Sequence, residues 1–280
     1  MPELTQITAE NARAFRALIR TDAYPFLADD ATLGLGLVEK DTPVGALVMR
    51  PDGEGAARLL SLAIAEVCRR KGFATELLTK AADIFSGTGK IYRVICETTR
   101  RPGEENALCG LLESLRFRIE ETDMCCYMTD FGETRKQKRL TGDGKEAGVT
   151  PYGKLTTRQK KMLYDEEMDL KPLMDSGRIE EKLSCVMIRD GAMSSCLVFV
   201  KEEDALLIQW ARTSQKNPAE ILYLMRYALA LSKDYTDETK LIIPVLNGES
   251  KKLTEKLFGD GLKKTETGYR AVLPLYGGFA

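Results

Sequence analysis

The order of elements in the first half of the chain recurs in the second, and this limits the fold more than any other feature. A short strand is expected near Leu4–Thr8, then a helix over Glu10–Arg20 capped by Thr8, and a helical turn near Ala23–Ala28. The runs TLGLGLVEK and PVGALVMRP read as strands joined at Asp41-Thr42. The apolar strand Ala57–Ala65 follows, then a helix from about Gly72 to Phe85 and the strand IYRVICETT. In EENALCGLLESL, Leu108, Leu111, Leu112 and Leu115 recur at helical spacing. RFRIEET and MCCYMTD close the half as a hairpin across Thr122-Asp123.

The second half runs the same way. A helix over Thr156–Asp169 leads to LSCVMIRDG and AMSSCLVFVKE, which turn at Asp190-Gly191. ALLIQWART is a strand, and the helix NPAEILYLMRYALALS opens with Asn217 as cap and Pro218 at its first position. KLIIPVLNG, ESKKLTEKLFG and YRAVLPLY complete the set as strand, helix and strand, with Trp210 and Tyr223 packing the core. A repeat of more than about 100 residues implies two tandem domains and not a solenoid. Each is expected to be α/β, a central mixed sheet flanked by helices. The expected division is 1–130 and 154–280, with a linker over 131–153 where the apolar pattern stops. The basic residues of that stretch, Arg135, Lys136, Lys138 and Arg139, read as a solvated face.

Composition narrows the chemistry. The net charge is −1, so no broad basic field argues for nucleic acid, and no apolar run approaches a membrane span. The polar amino terminus does not read as a secretory signal, so the expected setting is the cytoplasm. Histidine is absent, which removes imidazole bases and Ser-His-Asp chemistry. The seven cysteines lie mostly in apolar runs and show no CxxC spacing, so no metal is expected. Gly34 and Gly36 lack the third glycine of a dinucleotide fingerprint and read as strand glycines. Gly87–Lys90, GTGK, lacks the rest of a P-loop and reads as a turn.

Between the apolar strand and the helix stands CRRKGFA, Cys68 to Ala74. A helix start carries backbone N–H groups without intrahelical partners and a positive dipole end. Gly72 admits a close anion, and Arg69, Arg70 and Lys71 add charge, so the junction reads as a pyrophosphate cradle.

At these residues the chain resembles the GNAT acetyltransferase superfamily over about residues 1–130. The family's Gln/Arg-x-x-Gly-x-Gly/Ala motif is met by Arg69, Gly72 and Ala74, with Phe73 between. Leu62-Ala63-Ile64 matches the strand that pairs with pantetheine in that family, and Asn106-Ala107 to LLESLRF matches its later helix. The resemblance implies acetyl-CoA as acyl donor, held by Leu62, Ala63, Ile64, the junction from Arg69 to Ala74, and Asn106. The family's frequent general-acid tyrosine is Leu112 here, and the glycine before the closing Phe117 is Arg116. Amine acetylation needs a base, and Glu66 and Glu97 are the candidates, each alternatively a solvated strand-end carboxylate. Cys109 either approaches the thioester or packs as a small apolar residue. The loop TTRRPGEE is expected to line the acceptor site. The matching junction in the second half, TSQKNPA, has Asn217 for the glycine and only Lys216 as cation, so that copy is expected to be degenerate.

The expected function is acetyl-CoA-dependent N-acetylation of a small-molecule or peptide amine by direct attack on the thioester. The alternative is a catalytically weak acyl-CoA-binding or interaction module. No nucleic acid or membrane partner is expected, and the chain is expected to be a monomer or homodimer.

Overall fold

The structure, a computed structural model, describes residues 2–104, 106–142, 148–165, 177–213 and 217–275. The chain parts into two compact units: residues up to Glu121 together with those from Gly268 onward, and Thr122–Thr267.

In the first unit, strands β1 (Glu3–Gln6), β2 (Leu33–Glu39), β3 (Thr42–Pro51) and β4 (Ala56–Ile64) form an antiparallel run. Helix α1 (Phe73–Gly87) crosses to β5 (Arg93–Arg100), which pairs with β4 in parallel. Helix α2 (Ala107–Ser114) leads to β6 (Arg118–Asp130). Leu77, Leu78 and Ala81 of α1 and Leu112 of α2 are buried against Leu47, Met49 and Val94 of the sheet. Short 3-10 segments, Ala12–Leu18 and Tyr24–Ala28, cover the opposite face, where Phe15, Ile19 and Leu27 pack on Ala46 and Val48. Gly36 makes room for them, since a Cβ there would stand 2.4 Å from the Phe15 ring. The first segment is tighter than the α-helix expected, and its turn is bonded through the Asn11 side chain, which accepts from the Thr8 N–H at 2.8 Å.

In the second unit, β7 (Val149–Pro151), α4 (Thr157–Asp165), β8 (Cys185–Arg189), β9 (Ala192–Lys201) and β10 (Ala205–Thr213) precede α5 (Pro218–Leu231). A short helix, α3 (Phe131–Arg135), opens this unit's helical series. Strand β11 (Lys240–Val245) pairs with β10 in parallel and with β6 antiparallel; α6 (Gly248–Phe258) and β12 (Lys263–Pro274) follow. The repeat extends to detail. The β3–β4 ladder carries a bulge at Leu60 and the β9–β10 ladder one at Gln209. The parallel pairing stops in each case just before the bulge, at Leu59–Cys96 and Leu207–Ile242. A bulge bends its strand, so each parallel pair splays beyond it.

Three expectations are corrected. Arg118–Asp130 is one strand and not a hairpin at Thr122-Asp123, because the stretch has no Gly or Pro to turn it and Cys125, Tyr127 and Thr129 alternate inward. The boundaries between units accordingly fall inside β6 and β12 and not at residues 130 and 154. The last strand returns to the first unit, where Ala271, Leu273 and Leu275 join its core and the Leu275 N–H bonds the Tyr92 carbonyl at 2.7 Å. The stretch 131–153 is not a plain linker either. Asp130 caps α3, accepting from the Glu133 N–H at 2.8 Å, and Phe131 and Leu140 are buried. Arg135 donates to the Ser232 and Tyr235 carbonyls at 2.6 and 3.0 Å, so this cation closes the end of α5 instead of facing water alone. Residues 143–147, and residues 166–169 of the expected helix Thr156–Asp169, lie outside the described residues.

Candidate acyl-donor site in the first unit

The site grows out of the bulge at Leu60. The Ala65 N–H donates to the Val44 carbonyl at 2.9 Å. Bonded and non-bonded pairs alternate along an antiparallel ladder. Ala63, opposite Ala46, therefore spends its backbone groups on β3, while Leu62 and Ile64 turn theirs toward β5. Among the described residues no strand meets them there, because β5 has left the pairing after Cys96. A slot with free main-chain polar groups results. Arg69 Nε borrows one, donating to the Ile64 carbonyl at 3.3 Å.

The chain then makes a short 3-10 turn, Glu66–Cys68, and enters α1. Two left-handed residues shape the junction, Arg70 at φ 63° and Gly72 at φ 82°. A Cβ on Gly72 would meet nothing within 4 Å, so its glycine answers to backbone angle and to free space in front of the helix, not to packing. No side chain caps α1. The first-turn N–H groups of Phe73, Ala74 and Thr75 thus point outward, at the positive end of the helix dipole.

A cleft of about 760 Å³ opens here, walled on one side by Ile64, Cys68, Arg69, Arg70 and Gly72 to Thr75, and on the other by Arg100, Asn106 and the α2 face through Glu113. Asn106 caps α2, accepting from the Leu108 and Cys109 N–H groups at 2.9 and 3.2 Å while its amide donates to the Thr99 carbonyl at 2.8 Å. Cys109 lines the cleft yet is 8% exposed, and burial pushes its thiol up, with Arg100 pulling the other way. Burial, with Cys109 and Glu97 nearby, pushes Cys96 up to about 12. Both are thiols at neutral pH and weak nucleophiles.

The structure brings together Ile64, Arg69, Arg70, Gly72, Phe73, Ala74, Asn106 and Cys109. Leu62 and Ala63 lie one strand step away in β4. Lys71 and Glu66 are exposed and do not line the cleft. Glu97, one residue past the end of the β4–β5 pairing, is on the other face of β5 from the buried Cys96. Its Oε2 accepts from Arg58 Nη1 and its Oε1 from Arg270 Nε and Nη2, at 3.0 and 2.7 Å. Arg100 comes from the loop TTRRPGEE, expected to line the acceptor site; sequence reasoning missed Thr75, Cys68 and Glu113 as cleft residues, and it missed both arginines on Glu97. Arg270 is 173 positions away from Glu97, which no local spacing reveals.

Residues 3–108 match the Acetyltransferase (GNAT) family. The tandem GNAT protein of the clavulanic acid biosynthesis pathway is similar in fold over 99% of this chain and 100% of its own, at TM-score 0.61 and 14% identity. A GCN5-related N-acetyltransferase from Anabaena variabilis is similar over 99% of this chain and 73% of its own, at 0.57 and 12%. So is a putative acetyltransferase from Pyrococcus horikoshii, over 98% and 89%, at 0.50 and 15%. The whole chain thus has a tandem GNAT fold, with the GNAT family match confined to the first copy. No curated protein matches the chain. Among the described residues no group of side chains is set to hold a metal, and no helix is long and apolar enough to cross a membrane.

Proposed function

We propose that the first unit transfers an acetyl group from acetyl-CoA to a primary amine of a small molecule or peptide, in the cytoplasm and without a metal. One observation carries this reading: an uncapped, glycine-led helix start stands beside a strand splay whose inner backbone groups meet no described strand. The residues fit the donor. The N–H groups of Phe73 to Thr75 take the pyrophosphate, with Arg69 and Arg70 adding charge and Lys71 a more distant field. Leu62 and Ile64 offer main-chain groups to the amide arm, with Ala63 keeping the strand on β3. Asn106 holds the opposite wall.

Acetyl-CoA supplies the activated acyl carbon. A backbone N–H of Leu62–Ala65 polarises the carbonyl, and Glu97 takes the ammonium proton, directly or through water. What favours Glu97 over Glu66 is its place at the mouth of the splay, whereas Glu66 is exposed on the turn. Cys109 packs in the wall as a neutral thiol.

A second reading, an acyl-CoA-binding module with weak chemistry, draws on Leu112, which is fully buried in the core where the resembled family often has its acid, and on the lack of a tyrosine among the described cleft residues. Calorimetry with acetyl-CoA, followed by free-thiol release over a panel of amines, decides. Absence of binding at millimolar acetyl-CoA overturns both readings. Tight binding without thiol release leaves only the second.

A further inference from the structure

Glu97 is a half-buried carboxylate, 21% exposed, on the sheet face away from α1 and α2. A role for Glu97 toward the acceptor rests on the proposed function. A carboxylate offers about four acceptor positions. Arg270 occupies two on Oε1 through Nε and Nη2, and Arg58 occupies one on Oε2. Arg58 is itself fixed, donating from Nε and Nη2 to Asp52 Oδ2 at 2.9 and 2.6 Å. One position on Oε2 remains.

We infer that Arg270 is a positioning residue for the acetyl transfer: with Arg58 it clamps Glu97 so that a single lone pair on Oε2 meets an N–H of the acceptor ammonium. Two N–H bonds from Arg270 on Oε1 and one from Arg58 on Oε2 hold the carboxylate by both oxygens and restrict its rotamer. The clamp therefore sets the direction from which the amine approaches the acyl carbon. Its second half comes from β12, the last strand of the chain, in the segment that belongs to the first unit. The resemblance of residues 1–130 to a single GNAT domain leaves Arg270 out.

The test is a double-mutant cycle in the full chain, with spermidine, tyramine and glycylglycine as acceptors. Glu97→Gln is expected to lower kcat/KM by about a hundredfold, as loss of a general base does. Arg270→Gln, which keeps the bulk, is expected to lower it by about tenfold, and Arg270→Lys to recover part of that. Because Arg270 acts through Glu97, the double variant should be no worse than Glu97→Gln alone. The acetyl-CoA dissociation constant should stay within about threefold throughout. Losses that multiply, an undiminished Arg270→Gln enzyme, or a parallel loss of acetyl-CoA binding each overturn the inference. Failure of the unaltered chain to acetylate all three amines overturns the proposed transfer, and this inference with it, before any substitution is made.

Discussion

Helices α1 and α5 follow the same bulged, splayed strand in their respective units, yet their first turns are opposites. In α1, Gly72 is left-handed and leaves the N–H groups of Phe73, Ala74 and Thr75 uncapped. In α5 the donors are spent. Pro218 has none, the Ala219 N–H bonds Asn217 Oδ1 at 3.2 Å, and the Glu220 N–H bonds the Asn217 carbonyl at 3.1 Å. Where α1 has Thr75, α5 has Glu220, a fully buried carboxylate bonded by Ser195 and paired with Arg189 at 2.8 Å. The second copy carries its own anion at the helix start. The fold supplies the junction twice, and the choice of a few residues decides whether it stays open to a ligand or is closed on itself.

Gly72→Glu strikes the comparison hardest. With open space before the Cβ, the new carboxylate should cost little packing but weaken acetyl-CoA by more than about a hundredfold in calorimetry. Gly72→Ala, which meets only the left-handed backbone penalty, should lose about 1 kcal/mol in urea unfolding and keep its affinity within about tenfold. A similar loss of affinity in both would show that backbone strain, not the anion, matters at this position.

Glu220→Gln tests the other side. Removing the charge that Ser195 and Arg189 serve should destabilise the second unit by about 1–3 kcal/mol. Burial alone would raise the Glu220 carboxyl, but hydrogen bonds from Ser195 and Ser194 and the charge of Arg189 hold it below the ordinary carboxylate value. A lowered folded value means that the contribution is present above the ordinary carboxylate range and is lost as pH falls through the lowered one. Urea midpoints measured from pH 7 down to pH 3 should therefore fall less steeply in the variant than in the parent. Equal slopes would remove Glu220 from the account.

Asn217→Ala should cost about 1 kcal/mol as a lost cap. It should leave calorimetric stoichiometry at about one acetyl-CoA per chain, because Pro218 and Glu220 still close the turn. The smallest effect is expected from Arg70→Gly. It removes one exposed cation while relaxing a left-handed non-glycine residue, so affinity should weaken by only about threefold.

The glycine-led helix junction and the repeat were legible because both are local. A glycine before an amphipathic helix, a cation run and an Asn-Pro cap are written in neighbouring residues. The splay is different, since a bulge at Leu60 leaves no mark in the apolar run that contains it. The hairpin expected at Thr122-Asp123 failed because alternation of apolar and polar residues continues straight through it. The closing arginines of Glu97 were hidden for another reason: Arg58 lies in the middle of a strand and Arg270 near the end of the sequence, and only the tertiary fold joins them.

That last strand has a consequence in time. Ala271, Leu273 and Leu275 belong to the core of the first unit, and Arg270 belongs to its mouth. A ribosome making this chain synthesises Gly72 well before these residues, so the first unit waits, with its sheet lacking one strand, for the whole second unit to be made. A chain halted before Gly268 would carry a complete cradle on an incomplete domain. The second copy lies in the sequence ahead of the piece that finishes the first, so completion of the first unit waits on translation through both.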